Sequence, residues 1–254
     1  MTTIRSVVRG MARRANPAFA AGSVAVPVAA LVYAHTVAPL QHLAYVHVMA
    51  GVLWTGFDVG MGAVFGPVIG GLSDEEKAAV FERLTPKASF LIPTLALVSI
   101  ATGIALVRRI GLMSDAAFGP WLALFTAANL VPGLLLIGWQ FGAWQDRRWQ
   151  LGFAVAALGS LAWLAATVGS LAPPTGGAAL AVVVALGIVT VLAVQGFGLL
   201  LPGEVRIYRE MTSEDRDEAV IAAIGQRNAK LAGVQGLFQI ALIAVMVALR
   251  YGGF

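Results

Sequence analysis

Long apolar runs separated by short polar segments make up most of this chain. About 20 consecutive apolar residues cross a bilayer as a helix, whereas lipid-facing loops or open strands would leave backbone groups without hydrogen bonds. The pattern therefore predicts an all-α integral membrane protein, a bundle of about seven transmembrane helices. The predicted helices cover residues 18–37, 41–69, 87–108, 119–144, 150–172, 178–207 and 226–249.

The composition supports a single membrane domain over residues 1–254. Hydrophobic residues make up 59% of the chain and charged residues 12%, against about 25% charged residues in soluble domains. The absence of cysteine excludes disulfides, thiolate metal sites and iron–sulfur clusters. The net charge of +4 does not indicate a nucleic-acid partner, because the basic residues are spread over short loops. Membrane lipids are the expected partners, with other membrane subunits or a second copy as further candidates.

The distribution of Lys and Arg predicts the orientation in the membrane. If residues 1–17 form a basic cytoplasmic N-terminus, fourteen Lys and Arg residues face the cytoplasm and three face outward. Such an excess follows the positive-inside rule and supports an odd number of helices. We therefore expect a multi-pass protein of the plasma membrane with an extracytoplasmic C-terminus and an uncleaved first helix.

Two acidic segments, residues 73–77 and 212–218, resemble each other at an offset of 140 residues. In each, a serine precedes carboxylates, which predicts Ser73 and Ser213 as the N-caps of short amphipathic cytoplasmic helices. The same offset suggests that helices 1–3 and helices 5–7 form a parallel repeat. The first repeat would then cover residues 18–110, the connector helix 111–149 and the second repeat 150–254.

Ionisable residues single out the second predicted helix. His35, His42 and His47 lie in one short stretch, and Asp58 is an acidic residue deep inside a predicted span. At 3.6 residues per turn, His47, Trp54 and Asp58 share one helix face, with His47 and Asp58 about 16 Å apart along the axis. An ionisable group within a membrane normally faces other helices and marks a functional site.

Glycines and amides leave two interpretations open. The glycines Gly56, Gly60, Gly62, Gly66 and Gly70 favour either tight helix packing or a flat ligand on that face. Several amides lie within spans and either hydrogen-bond between helices or line a polar path: Asn129, Gln140, Gln195, Gln235 and Gln239. Glu204 is expected to pair locally with Arg206 or to reach the interface.

The stretch His47-Val48-Met49-Ala50-Gly51-Val52-Leu53-Trp54-Thr55-Gly56 resembles the first element of two membrane families. These are the copper-resistance D-like proteins and the haem-associated protoporphyrinogen oxidases of the HemJ type, and the resemblance covers residues 43–107. It implies that His47 is an axial ligand to haem b or, less favoured, a copper ligand, with Trp54 and Gly56 at the site. His35 is the preferred second ligand and Met246 an alternative, while His42 remains a candidate cofactor residue.

Three functions follow from these observations. The chain is a redox or tetrapyrrole-binding protein that uses His47, a transporter or channel with Asp58 in its path, or an accessory subunit of a membrane complex. A nucleotide-binding loop, a zinc-protease motif and a hydrolase triad are all missing from the sequence, which makes hydrolysis an unfavoured chemistry. Whether the protein is an enzyme is left open.

Overall fold

The computed structural model describes residues 4–172 and 179–251, which are helical almost throughout and contain no strand. Seven helical segments in this part of the chain are long and apolar enough to cross a membrane. They are Pro17–Thr36, Leu40–Gly70, Asp74–Arg109, Asp115–Gln140, Arg147–Ser170, Ala179–Glu210 and Glu218–Tyr251. The predicted all-α class and the number of spans are therefore confirmed.

The described residues form ten α-helices, of which all but α1 belong to these segments. They are α1 (Ile4–Ala15), α2 (Pro17–Thr36), α3 (Leu40–Gly60), α4 (Gly66–Gly70), α5 (Asp74–Arg109), α6 (Asp115–Gln140), α7 (Arg147–Thr167), α8 (Ala179–Gln195), α9 (Leu201–Glu210) and α10 (Glu218–Tyr251). One π-helix, Met61–Phe65, joins α3 to α4, and a second, Gly196–Leu200, joins α8 to α9. Short 3-10 turns occupy Ala143–Gln145 and Val168–Ser170.

The apolar surface of the helices faces outward. In the most apolar stretch of each span, only 11% to 28% of the residues are buried inside the protein. Large apolar side chains lie on this surface: Val26 is 70% exposed, Leu158 67% and Leu180 76%. In water this surface would favour aggregation, whereas lipid solvates it. The chain is a polytopic membrane protein.

The acidic segments do not form separate short helices, contrary to the prediction. Residues 74–77 are the first turn of α5, which continues into its span, whereas residues 212–217 form a loop and α10 begins only at Glu218. The two helices contain 36 and 34 residues. At 1.5 Å per residue these helices are each more than 50 Å long, well beyond the ~30 Å apolar core of a bilayer. Their acidic first turns therefore extend beyond the apolar core. Pro86, which directly precedes the predicted helix 87–108, lies inside α5.

The two predicted N-caps had different outcomes. Ser73 forms a capping box with Glu76, because the Glu76 amide donates to Ser73 Oγ at 3.3 Å and the Ser73 amide donates to Glu76 Oε2 at 2.9 Å. Ser213 does not cap a helix, and the prediction for it is wrong. Asp217 is the cap of α10, with its Oδ1 accepting from the Ala219 amide at 2.9 Å.

Residues 4–15 of the basic N-terminus form the helix α1, which the sequence did not predict. Val7, Met11 and Ala15 of α1 are buried at a spacing of four residues, which places them on one face. The arginines of α1 are exposed. Asn16, with φ of 74°, turns the chain from α1 into α2, and its Oδ1 accepts from the Ala18 amide at 2.9 Å.

The chain divides into two compact units that cut across the predicted repeats. Unit 1 contains the residues up to Thr102 together with Leu200–Leu237, and unit 2 contains Gly103–Leu199 with the chain from Phe238. The repeat with boundaries 18–110, 111–149 and 150–254 stays a prediction. One local feature occurs in both predicted repeats. Each π-helix is followed by a proline at the second position of the next helix, Pro67 in α4 and Pro202 in α9.

Unit 1 has an apolar cluster where α1 meets the ends of four other helices. We call the end of unit 1 that contains this cluster the α1 end. Its buried members come from α1, α4, α5, α9, α10 and the residue after α9: Val7, Met11, Ile69, Ala78, Phe81, Ile207, Tyr208, Met211, Ile221 and Ile224. Unit 2 packs α6 against α7 and α8. The indole of Trp144 contacts the rings of Trp149 and Phe153 edge to face.

Candidate functional site

One face of α3 carries the buried polar side chains that the sequence singled out. Asp58 is only 1% exposed and Trp54 4% exposed, and Leu43, Ala50 and Met61 continue the same buried stripe. The spacing of seven, four, four and three residues is that of one helix face. Asp58 lies near the middle of a 31-residue span, so its carboxylate is sheltered by other helices, as the sequence indicated.

A close crossing of two backbones fixes α10 against the span that carries Asp58. A Cβ placed on Gly233 would lie 2.9 Å from Gly62 Cα, and a Cβ placed on Gly236 would lie 3.1 Å from Val59 N. Only glycine allows helices to approach so closely. Gln235, which is 1% exposed, is next to Gly236 in sequence and therefore belongs to the same crossing level as Asp58.

The glycine stripe of this span has two parts. Gly62 and Gly70 meet α10 closely, and a Cβ on Gly70 would lie 3.2 Å from Gln226 Nε2. A Cβ on Gly66 would approach Met61 O at 3.0 Å. By contrast, a Cβ on Gly56 or Gly60 would meet nothing within 4 Å. Close packing against α10 therefore explains Gly62 and Gly70, whereas Gly56 is exposed, Gly60 is half-buried, and neither has a close neighbour.

His47 is held in a defined orientation by α5. Its Nδ1 lies 2.9 Å from the carbonyl oxygen of Ser99 and 3.4 Å from Thr102 Oγ1. Because a carbonyl oxygen can only accept, Nδ1 carries the proton and donates to Ser99. In the neutral ring, Nε2 then has a free lone pair, which is the arrangement usual for a histidine that binds a metal.

The other two histidines lie at the turn between α2 and α3 and are exposed. His42 Nδ1 is 2.6 Å from the hydroxyl of Tyr33, and His35 Nδ1 is 3.1 Å from Leu31 O in its own helix. His47 lies seven residues into α3, about 10 Å along the axis from its first residue. The roles of His35 and His42 as cofactor residues stay predictions.

In the described part of the chain, no three side chains among His, Asp and Glu come together in a way that would hold a metal ion. A copper centre made of several such ligands therefore has no match there. A haem needs only one or two protein ligands, so His47 alone meets the minimum. Gly56, which the resemblance places at the site, lies nine residues after His47 and hence on the opposite side of α3.

The amides predicted inside spans take several roles. Asn129 Nδ2 donates to Phe125 O within α6 at 2.6 Å. Gln140 Nε2 donates to Gly198 O at 2.9 Å and to Leu199 O at 3.1 Å, so it joins α6 to the second π-helix as an interhelical hydrogen bond. Three further amides are buried, with exposures of 8%, 1% and 3%: Gln195, Gln235 and Gln239.

Glu204 belongs to a polar cluster that the sequence analysis missed. Its Oε1 accepts from Asn228 Nδ2 at 2.9 Å, which corrects the expected pairing with Arg206. Asn228 is 4% exposed and Thr85, on α5, is 1% exposed and lies beside the Glu204 carboxylate. Glutamate and asparagine are 24 residues apart on different helices, so helix periodicity alone gave no signal for the contact.

Unit 1 thus contains ionisable side chains at three depths. His47 and Asp58 are about 16 Å apart along α3. Asn228, the partner of Glu204, lies eight residues before Gly236, about 12 Å further along α10. The three levels together cover about 28 Å, close to the thickness of the apolar core of a bilayer.

Comparison with protein-family models, with curated proteins and with solved structures finds no match for this chain.

Proposed function

We propose that this protein moves protons or small cations across the membrane, with Asp58 as the buried carboxylate in the path. The observation that carries the proposal is the 1% exposure of Asp58 near the middle of its span. An Asp at the centre of a transmembrane helix costs about 2.5–3.5 kcal/mol on insertion scales. A side chain with no task at this position would be better replaced by an apolar one.

The surroundings of Asp58 support a path along the same face of α3. Trp54 lies one turn from Asp58, and its buried Nε1 has no acceptor among the described residues. An indole N–H normally donates a hydrogen bond when it is buried, and a water molecule would satisfy it. The interval of about 16 Å between His47 and Asp58 needs on the order of five hydrogen-bonded waters or polar groups at about 2.8 Å each.

The test is proton uptake by liposomes that contain the purified protein and an internal pH-sensitive dye, driven by an inside-negative potential. We expect uptake by the native protein and its loss in Asp58→Asn, which keeps the size but removes the titratable carboxyl. Asp58→Glu should retain part of the flux. Asp215→Asn, which changes an exposed aspartate, is the matched control and should behave as the native protein. Native flux in Asp58→Asn would refute the proposal.

The same proposal includes the orientation of the protein. It lies in the plasma membrane, and its α1 end faces the cytoplasm. The basis is the distribution of the fourteen and three basic residues. Because the chain has no cysteine, single cysteines report the side directly. In intact cells, a membrane-impermeant maleimide should label Ala116→Cys but not Ser213→Cys, both at exposed positions. Labelling of Ser213→Cys but not of Ala116→Cys would show the opposite orientation.

A second candidate is binding of haem b at His47, as the resemblance to the copper-resistance D-like and HemJ-type families implies. The specific observation in its favour is the bond from His47 Nδ1 to Ser99 O, which leaves Nε2 available for iron. A bound haem would supply electron-transfer or tetrapyrrole chemistry. Purified protein should then show a Soret band that His47→Ala abolishes and His42→Ala, at an exposed histidine of the same helix, retains.

The third expectation, an accessory subunit without chemistry of its own, makes a different prediction. A subunit of this kind shows neither proton uptake nor a Soret band, and it purifies from native membranes with other membrane proteins. A preparation that behaves in this way would replace both candidates.

A further inference from the structure

Glu204 lies where the proposed path reaches the α1 end of unit 1. Asn228 Nδ2 donates to the carboxylate at 2.9 Å, and the same amide group donates to Leu200 O at 3.3 Å. A Cβ on Gly203 would come within 2.6 Å of both Asn228 Nδ2 and Oδ1, so only glycine leaves room for the amide here. The asparagine is therefore fixed between α9 and α10.

The two polar groups beside this carboxylate are neutral. Asn228 donates an amide hydrogen bond to it. The buried hydroxyl of Thr85 makes no hydrogen bond with the described residues in this structure, and a hydroxyl can donate to a carboxylate or accept from a carboxylic acid. A carboxylate in direct contact with a guanidinium would be held in its ionised form. Neutral partners of this kind instead satisfy both the ionised and the protonated carboxyl with little movement.

Charged groups stand further out on the elements around Glu204. On α10, Arg227 Nη2 donates to Asn228 Oδ1 at 3.4 Å, and on α9 Arg206 lies close enough to repel Arg227. On α5, Glu82 Oε1 pairs with Arg216 Nη1 at 3.0 Å. The Glu82–Arg216 pair is neutral overall, so its charges largely cancel at the Glu204 carboxyl, whereas Arg206 and Arg227 are both positive.

We infer that Glu204 is a second proton-binding carboxyl group, which exchanges its proton between Asp58 and the aqueous side at the α1 end. The inference rests on the proposed function for its place in the path. The proton-binding site itself rests on the contacts of Glu204 alone. At about 12 Å between the Asn228 and Gly236 levels, the transfer to Asp58 needs water or intervening polar groups, as it does on the His47 side.

Covalent labelling tests the site without depending on transport. Full-length protein in liposomes is treated with dicyclohexylcarbodiimide, and its peptides are analysed by mass spectrometry. This hydrophobic reagent takes up the proton of a carboxyl group, whose oxygen then attacks the carbodiimide carbon. We expect an adduct on Glu204 at acidic pH that decreases as the pH rises, and its loss in Glu204→Gln. Glu214, an exposed glutamate in the loop after α9, should stay unlabelled, because the activated group is hydrolysed in water.

The outcomes separate the inference from the proposed function. No adduct on Glu204 at any pH, in protein whose far-ultraviolet circular dichroism is native, overturns the inference. Proton uptake in Glu204→Gln at the native rate also overturns it, whereas lost uptake in Glu204→Gln and native uptake in Glu214→Gln support it. If the native protein labels at Glu204 but takes up no protons, the binding site stands and the proposed translocation fails.

Discussion

Replacing glycine by alanine in this protein should have opposite effects on the two sides of the Asp58 span. Gly233 lies on α10 where a Cβ would be 2.9 Å from Gly62 Cα, closer than real Cβ atoms come to any neighbour. Gly56 lies on α3 with nothing within 4 Å of a Cβ. Both positions are inside α-helices, so the comparison isolates the effect of the contact between helices.

The magnitudes follow from two terms. In a helix interior, alanine is favoured over glycine by roughly 0.5–1 kcal/mol at either site. Inserting a methyl group into a closed contact costs about 1–3 kcal/mol, and here the neighbour is backbone, which cannot rotate away. We therefore expect Gly56→Ala to stabilise by roughly 0.5–1 kcal/mol. Gly233→Ala should be less stable than Gly56→Ala by about 1–3 kcal/mol.

The assay is unfolding of the purified protein in mixed micelles with increasing sodium dodecyl sulfate, followed by circular dichroism. Gly60→Ala, also at an open position, is a second control and should match Gly56→Ala. If Gly233→Ala is as stable as the two controls, the helices are not in backbone contact at this level. In that case this crossing does not position Asp58.

Three further substitutions test local interactions by the same unfolding assay. Ser73→Ala removes the capping box of α5 and should destabilise by about 0.5–2 kcal/mol, whereas a loss below this range would show that the cap is frayed. Gln140→Leu leaves the carbonyls of Gly198 and Leu199 without their donor and should cost about 1–3 kcal/mol. Arg216→Ala should cost at most about 1 kcal/mol, because the ion pair with Glu82 is partly exposed, and a larger loss would indicate a role in packing.

The sequence was sufficient to predict the spans because their signal is local. A run of apolar residues of membrane-spanning length has the same meaning wherever it lies in the chain, and each predicted span overlaps an observed one. The helix ends were less accurate at polar segments. Residues 74–86 belong to α5 although Pro86 favours a helix end. Ala78 and Phe81 of this stretch are buried in the apolar cluster at the α1 end, a contact that local sequence preference does not reveal.

Periodicity also predicted which face of α3 is buried, but not what covers it. The spacing of His47, Trp54 and Asp58 placed them on one face, and the structure buries Trp54 and Asp58 there. The contact from His47 to Ser99 joins residues 52 apart in sequence. A hydropathy pattern carries no information about which helices become neighbours, so the partners required the three-dimensional structure.

The helix irregularities explain why the polar cluster at Glu204 forms where it does. Pro202 has no N–H, so in a regular helix the carbonyl of Gly198 would lack its partner four residues later. The second π-helix lies at this point, and Gln140 supplies the missing donor to Gly198 O at 2.9 Å. Leu200 O, the last carbonyl of the π-helix, accepts from Asn228, which in turn donates to Glu204. The irregular segment therefore supplies both carbonyls that accept side-chain amides from α6 and α10, and the carbonyl of Leu200 is the one that anchors the amide in contact with Glu204.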